Sequence, residues 1–254
     1  MSIGIHGERS ITSQVRRNPY LDGARIGLII PSVNTMTEPE FAWIAPLHMS
    51  FHAARVFLSV TTTEALHAMN AEVCRAAQLL ATLSPNVIAY ACTAGSFVDG
   101  SAGTDRLLAS IRKVVNCPVV ATASAMDAAL RRLGVSRMSL ATPYPQDVTE
   151  AERNFLVASG FDVVSCACLG RSGAAVRPTT FDEIIDLVRG VDRADSEAIF
   201  VSCTDLRVLE IVDVLERELG KPVLTSNQVT LWAILDVLGH REPLAGFGRL
   251  LSSQ

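Results

Sequence analysis

The chain has 254 residues, of which 49% are hydrophobic and only 19% charged, and its formal net charge is −4. That length exceeds a minimal module and suits one large domain or two of about 100–130 residues. The mildly acidic balance and the lack of a basic stripe argue against a nucleic-acid partner. Globular chains usually carry about 25% charged residues, so the sparse charge predicts surface buried between subunits, in a homodimer or higher homo-oligomer. Six cysteines are present, Cys74, Cys92, Cys117, Cys166, Cys168 and Cys203, and no two form a CxxC pair. A zinc ribbon and a thioredoxin-type motif are thereby excluded. Lys113 and Lys221 are the only lysines among 22 basic residues, which argues against a Schiff-base cofactor such as pyridoxal phosphate. No cofactor is expected.

Residues 1–20 hold His6, Glu8, Arg9, Arg16 and Arg17 and no apolar core of signal-peptide length, so they read as a flexible tail. No run reaches the ~18 apolar residues of a membrane span, and the expectation is a soluble, cytoplasmic protein with reduced thiols. Residues 25–30 read as a buried strand ending at Pro31, and residues 53–60 as a second. Thr61 and Glu64 fit a capping box opening a helix with Leu66, Met69, Val73, Leu80 and Leu83 on one face. A third strand, 87–91, ends at Cys92. A glycine-rich loop spans Gly95 to Gly103, a helix covers about 104–115, and Pro118 opens a strand at 119–122.

The second half repeats the plan. Strands are predicted at 138–141, 162–168, 198–202 and 223–225, and helices at about 147–158, 181–190 and 228–238. A further helix carries Leu206, Leu209, Val212, Leu215 and Leu219 and ends at Gly220. Leu28–Pro31 parallels Leu140–Pro143, 112 residues on; Tyr90–Thr93 parallels Val201–Thr204, 111 on; Cys117–Val120 parallels Lys221–Leu224, 104 on. The fold class expected is therefore α/β, with two similar halves of mostly parallel sheet related by a pseudo-twofold axis and a site in the cleft between them. The domains would be residues 1–121 plus 226–254, carrying Cys92, and residues 122–225, carrying Cys203.

Cys92 and Cys203 hold corresponding places, each at the carboxyl end of a predicted strand, where open α/β sheets bind ligands. A helix N-terminus beside a thiol favours the thiolate. Facing each other across a cleft, two thiols could remove and donate protons on opposite sides of a carbon acid, or one could add to the substrate while the other handles the proton. Cys74, Cys117 and the pair Cys166 and Cys168 read as packing residues. His48 and His52 lack the helix that would bring them together on a metal, and no metal site is expected. GxGxxG, P-loop and GxSxG motifs are absent from the sequence.

Ile26 to Thr35 followed by Glu38-Pro39-Glu40-Phe41, Ala91-Cys92-Thr93-Ala94-Gly95-Ser96, Ser202-Cys203-Thr204-Asp205-Leu206-Arg207, and Pro222-Val223 through Ser226-Asn227-Gln228 resemble the maleate cis-trans isomerase branch of the aspartate/glutamate/hydantoin racemase superfamily. The resemblance covers about residues 25–240. It implies a small dicarboxylate substrate, Cys92 as the nucleophile that adds to an alkene carbon, and Cys203 as the group that supplies and removes a proton at the neighbouring carbon. Asn34 and Tyr144 would hold a carboxylate, with main-chain N–H groups at Thr93, Ala94, Gly95 and Thr204. For Asn34 the other reading is a turn residue capping the next segment, and for Tyr144 a packed turn aromatic.

One departure stands out. The maleate isomerases carry a further binding asparagine in the loop where this chain reads Gly170-Arg171-Ser172-Gly173. Arg171 or Ser172 could take its place, or the far end of the substrate differs from maleate. Three rivals to isomerisation follow. The same thiols could racemise an amino acid or its derivative. Decarboxylation of a malonate fits less well, because the arylmalonate enzymes use one cysteine and lack the partner matching Cys92. A ligand-binding protein without turnover would show thiols that react only above about pH 8.5, whereas an enzyme's should react near neutrality.

Overall fold

A computed structural model of the chain describes residues 22–252 together with Asn18 and Tyr20; the rest of the predicted tail lies outside the described residues. The first half runs β1 (Ala24–Pro31), α1 (Thr37–Ile44), β2 (Met49–Val56), α2 (Thr63–Ala71), α3 (Val73–Ala81), β3 (Val87–Tyr90), α4 (Thr93–Phe97), α5 (Gly100–Arg112), β4 (Val119–Ala121) and α6 (Thr122–Arg132). The second runs β5 (Arg137–Thr142), α7 (Gln146–Ala158), β6 (Asp162–Cys168), α8 (Phe181–Val191), β7 (Ala198–Val201), α9 (Val212–Leu219), β8 (Val223–Thr225), α10 (Ser226–Val237) and α11 (Arg249–Ser252).

Each half builds one parallel sheet, in the orders β2-β1-β3-β4 and β6-β5-β7-β8. The internal repeat in the sequence is thus a repeat of topology, and the expected α/β class with twin halves is borne out. Parallel neighbours need helical crossovers, which cover both sheet faces and bury the strands. That is why β3, β4, β7 and β8 are short, wholly buried apolar runs. Helix α10 closes the fold. A capping box, Thr225 with Gln228, starts it, and it lies against α6, β3, β4 and β8.

Local differences from the sequence reading have physical causes. The second strand is 49–56 rather than 53–60, because its parallel register runs from Ala24 opposite Met49 to Pro31 opposite Val56. On an edge strand the apolar run is a poor guide, and Phe57, just past the strand end, is 74% exposed. The α2 cap is Thr62, whose hydroxyl accepts from the Ala65 N–H, rather than Thr61. Thr61 instead accepts from the Gly173 N–H of the other half. The expected loop Gly95 to Gly103 is mostly helix, in α4 and α5. Gly95 is there for close approach, since an added Cβ would stand 2.1 Å from the Tyr90 hydroxyl. The helix expected from Leu206 begins as a short 3-10 turn, Leu209–Ile211, and becomes regular only at Val212. Residues before it are held by Thr35, whose N–H donates to Asp205.

Of the buried carboxyl groups, Glu40 and Glu152 are the two shifted furthest. Glu40 on α1 accepts from the Asn227 carboxamide (2.6 Å), and Glu152 on α7 accepts from the Ser202 hydroxyl (2.8 Å). Burial pushes both up to about 8. Between the ordinary value of 4.5 and about 8 the folded protein therefore holds protons that the unfolded chain has released. Its stability falls as pH rises through that window and levels off above it. Glu152→Gln keeps the acceptor for Ser202 and removes one contribution to the slope. Urea unfolding at pH 5.5 and pH 8 should therefore show a smaller loss of stability in the variant than in the parent chain.

Candidate active site

The carboxyl ends of the two sheets converge on one small cleft. The first half contributes Pro31, Val33, Asn34, Leu58, Thr61, Cys92, Thr93 and Ala94; the second contributes Tyr144, Gly173, Val176, Cys203, Thr204 and Asp205. Both thiols therefore open on the same space.

Cys92 follows β3 and caps α4, its sulfur accepting from the Gly95 N–H at 3.4 Å. It is 4% exposed. Cys203 follows β7 with φ +95°, a conformation that costs a side-chain-bearing residue on the order of 1–3 kcal/mol. Two bonds hold it there: its N–H donates to the Ser226 hydroxyl at 2.9 Å, and its sulfur accepts from the Asp205 N–H at 3.4 Å. The expectation that a helix start makes the thiols acidic does not hold, because burial outweighs it. Burial pushes Cys92 up to about 11, against the opposing hydrogen bonds from Gly95 and Tyr90. Burial likewise pushes Cys203 up to about 12, with the Asp205 and Cys92 charges adding to it and the Asp205 N–H and Tyr144 hydroxyl opposing it. A single weak N–H···S contact does not offset the desolvation of a sulfur anion.

Ser226, the first residue of α10, ties the two cysteine loops together. Its oxygen accepts from the Thr93 hydroxyl (2.8 Å) as well as from the Cys203 N–H. Asn34 makes a second tie, its Nδ2 donating to the Thr204 hydroxyl at 3.1 Å. The Asn34 Oδ1 accepts from the N–H groups of Met36 and Thr37, at the entry of α1. Asn34 thus caps its turn and also faces the cleft, and one of its two amide protons is not used by Thr204. Tyr144 is buried, its hydroxyl 3.4 Å from that of Ser202.

Of the binding residues expected from sequence, Asn34, Thr93, Ala94, Tyr144 and Thr204 line the cleft, and Gly95, Arg171 and Ser172 do not. The Gly95 N–H is spent on Cys92. Arg171 turns outward to Glu183 and to the Thr179 hydroxyl, and the ion pair holds Glu183 down to about 2. The Ser172 oxygen takes the Thr61 N–H. The wall at that end is instead Gly173 and Val176. Gly173 has φ +54°, and a Cβ on it would stand 2.0 Å from the Ser59 carbonyl oxygen, so only glycine closes the two halves there. Sequence reasoning missed Pro31, Val33, Leu58, Thr61, Gly173, Val176 and Asp205 of the lining, and Ser226 beside it. Pro31, Val33, Asp205 and Ser226 lay inside the recognised motifs; Leu58, Thr61 and Val176 carry no local signal for the cleft. Among the described residues no cluster of three or more metal-binding side chains occurs, and no helix is long and apolar enough to cross a membrane.

Twin parallel sheets that each bring one thiol to a shared cleft define an α/β protein of the two-cysteine type. The chain belongs to the arylmalonate decarboxylase family, whose model matches residues 26–251. A maleate isomerase of Nocardia farcinica is 30% identical over 238 residues, 89% of this chain and 95% of that one. An arylmalonate decarboxylase of Bordetella bronchiseptica is 31% identical over 229 residues, again 89% and 95%. The solved structure of Nocardia farcinica maleate cis-trans isomerase, a cysteine-to-serine mutant with a covalently bound succinylcysteine intermediate, superposes with a TM-score of 0.87 at 28% identity, covering 90% of this chain and 98% of that chain.

The high thiol values have a direct consequence. Without ligand, alkylation of Cys92 and Cys203 should be slow at pH 7.5 and still rising with pH beyond 9. Peptide mass spectrometry after timed iodoacetamide exposure reads each cysteine separately, and a plateau below pH 8 for either would contradict the burial argument.

Proposed function

We propose that the chain is a cofactor-independent cis-trans isomerase of maleate or a maleate-like enedioate. The observation that carries this reading is that Cys92 and Cys203, one from each sheet, line a single small cleft. Cys92 acts as the thiolate, its own proton having passed to solvent water before addition. Its sulfur forms a bond to one alkene carbon, and the π electrons move to the neighbouring carbon, which takes a proton from Cys203. The former double bond is now single and rotates. Cys203 then takes the proton back, the C–S bond breaks with its electrons returning to Cys92, and the trans alkene leaves. A thiol with a raised pKa suits Cys203, which must arrive protonated. The first-turn N–H groups of Thr93 and Ala94, which a helix leaves without internal acceptors, bind carboxylate oxygens together with the free Asn34 amide proton, the Tyr144 hydroxyl and the Thr204 N–H.

In this reading the nucleophile belongs to a first domain, residues 1–121 with 226–254, and the proton-transfer thiol to a second, residues 122–225. Exposed Trp43, Leu47 and Phe57 support assembly into a homodimer or larger, which light scattering checks. Six free cysteines support a reducing, cytoplasmic setting.

A second reading, racemisation of an amino acid or derivative, is favoured by Asp205, an acidic residue in the cleft lining that suits an ammonium group. Its mark is solvent deuterium at Cα with loss of optical activity. The high thiol values taken alone suit a ligand-binding role; the succinylcysteine held by the Nocardia relative supports turnover, with the thiolate formed in the occupied cleft.

Proton NMR should show maleate disappearing and fumarate appearing in EDTA-treated protein. Cys92→Ala and Cys203→Ala should each lower the rate by at least about 10³-fold, and full activity in both would end the scheme. Cys203→Ser should accumulate an adduct of one substrate mass on the peptide carrying Cys92.

A further inference from the structure

Outside the cleft lining, the most tightly organised polar group in the first half lies directly behind the nucleophile. Tyr90, the last residue of β3, is wholly buried; its hydroxyl lies against Gly95, the residue that donates to the Cys92 sulfur, and acts to hold the Cys92 thiol down against its burial. That hydroxyl donates to the Asn70 Oδ1 at 2.5 Å, and the Asn70 Nδ2 donates to the Gly95 carbonyl at 2.8 Å. Gly95 in turn gives its N–H to Cys92. Three hydrogen bonds thus run in series from Cys92 through Gly95 and Asn70 to Tyr90, and the Tyr90 hydroxyl comes back against Gly95. The carboxamide orientation of Asn70 is set by the Gly95 carbonyl, which can only accept, so Oδ1 must face Tyr90 and the tyrosine proton must point to Asn70. With its one proton committed there, the Tyr90 oxygen is left to accept from a neutral Cys92 thiol.

The repeat makes the arrangement specific to one thiol. The residue corresponding to Tyr90 in the second half is Val201, two before Cys203. The hydroxyl near Cys203 is that of Tyr144, which comes from the loop after β5 and faces the cleft. Only Cys92 has a tyrosine on its own strand whose proton is held by a second helix, α2.

We propose that Tyr90 and Asn70 are positioning residues for the Cys92 nucleophile, with the Tyr90 proton switching from Asn70 to the sulfur when the thiolate forms. In the resting state the thiol donates to the Tyr90 oxygen. As its proton leaves, the tyrosine hydroxyl turns, and the thiolate gains a second donor beside the Gly95 N–H. Asn70 opposes that turn by competing for the same proton. The two residues therefore act on the thiol in opposite directions: Tyr90 favours the thiolate and Asn70 holds it back. Gly95 is part of the device, because any Cβ there would displace the tyrosine hydroxyl. The proposal rests on Cys92 being the nucleophile, but its test reads the thiol and not the substrate.

The experiment measures the alkylation rate of each cysteine from pH 7 to pH 9.5 in the full chain, by peptide mass spectrometry, with turnover measured alongside. Tyr90→Phe should slow Cys92 alkylation by about threefold or more, as expected for half a unit in thiol pKa. It should lower kcat and leave KM within about twofold. Asn70→Ala, which frees the tyrosine proton for the sulfur, should speed Cys92 alkylation by a similar factor. Cys203 should keep its rate in both variants. Shifts of Cys92 in the same direction, or none, overturn the proposal, since loosened packing would not separate the two. If Tyr90→Phe does not fold, Asn70→Ala decides alone: a Cys92 rate unchanged or slower overturns it. The functional reading fails separately, through turnover that survives Cys92→Ala.

Discussion

One hydroxyl holds the site together. Ser226 begins the helix that packs on both halves, and its oxygen accepts from Thr93 beside one thiol and from the Cys203 main chain at the other. The two cysteine loops, whose thiols are 111 residues apart in sequence, are thereby bridged through a single oxygen. Cys203 keeps a positive φ because that bond and the Asp205 N–H fix its backbone. Asn34 and Thr204 form a second tie of the same kind across the cleft. The halves share one apolar cluster, with Leu28 and Ile88 from one and Leu140 and Phe200 from the other; burial is non-directional, and these hydrogen bonds add the directional constraint at the cleft.

The same enclosure that positions the thiols makes them weak acids. Desolvation outweighs the one N–H contact each sulfur receives, so the two start protonated. For a proton donor this is an asset. For a nucleophile it requires polar groups that respond once charge develops, and Tyr90 on β3, bonded to Asn70 on α2, is buried behind Cys92. The pseudo-symmetry of the fold thus carries an asymmetry of chemistry. Gly95 shows how closely backbone and function are joined: it gives an N–H to sulfur, a carbonyl to Asn70 and room to Tyr90.

Much of the fold was legible because parallel strands buried on both faces leave continuous apolar runs, as at 87–90 and 198–201. Strand 162–168 and the last strand, 223–225, were read with their ends correct, since Gly160, Gly220 and Pro222 mark them. The edge strand at 49–56 was misplaced because its pattern reflects one covered side. Helix starts near the cleft were misjudged at Thr61 and at 204–208 for a common reason: those residues bond across to the other half, and a local capping rule has no knowledge of a distant partner. Arg171 looked like a carboxylate ligand by charge and loop position, yet Glu183, twelve residues on, takes it.

The sequence by itself determined that two α/β halves repeat and that one cysteine of each ends a corresponding strand, because periodicity and motif spacing are local properties of the chain. The tertiary structure alone decided that both thiols share one cleft, that their burial keeps them protonated, and that Val33, Leu58, Val176 and Asp205 shape its walls. Those outcomes depend on desolvation and on hydrogen bonds between residues more than a hundred positions apart, as between Asn34 and Thr204, and no pattern along the chain records them.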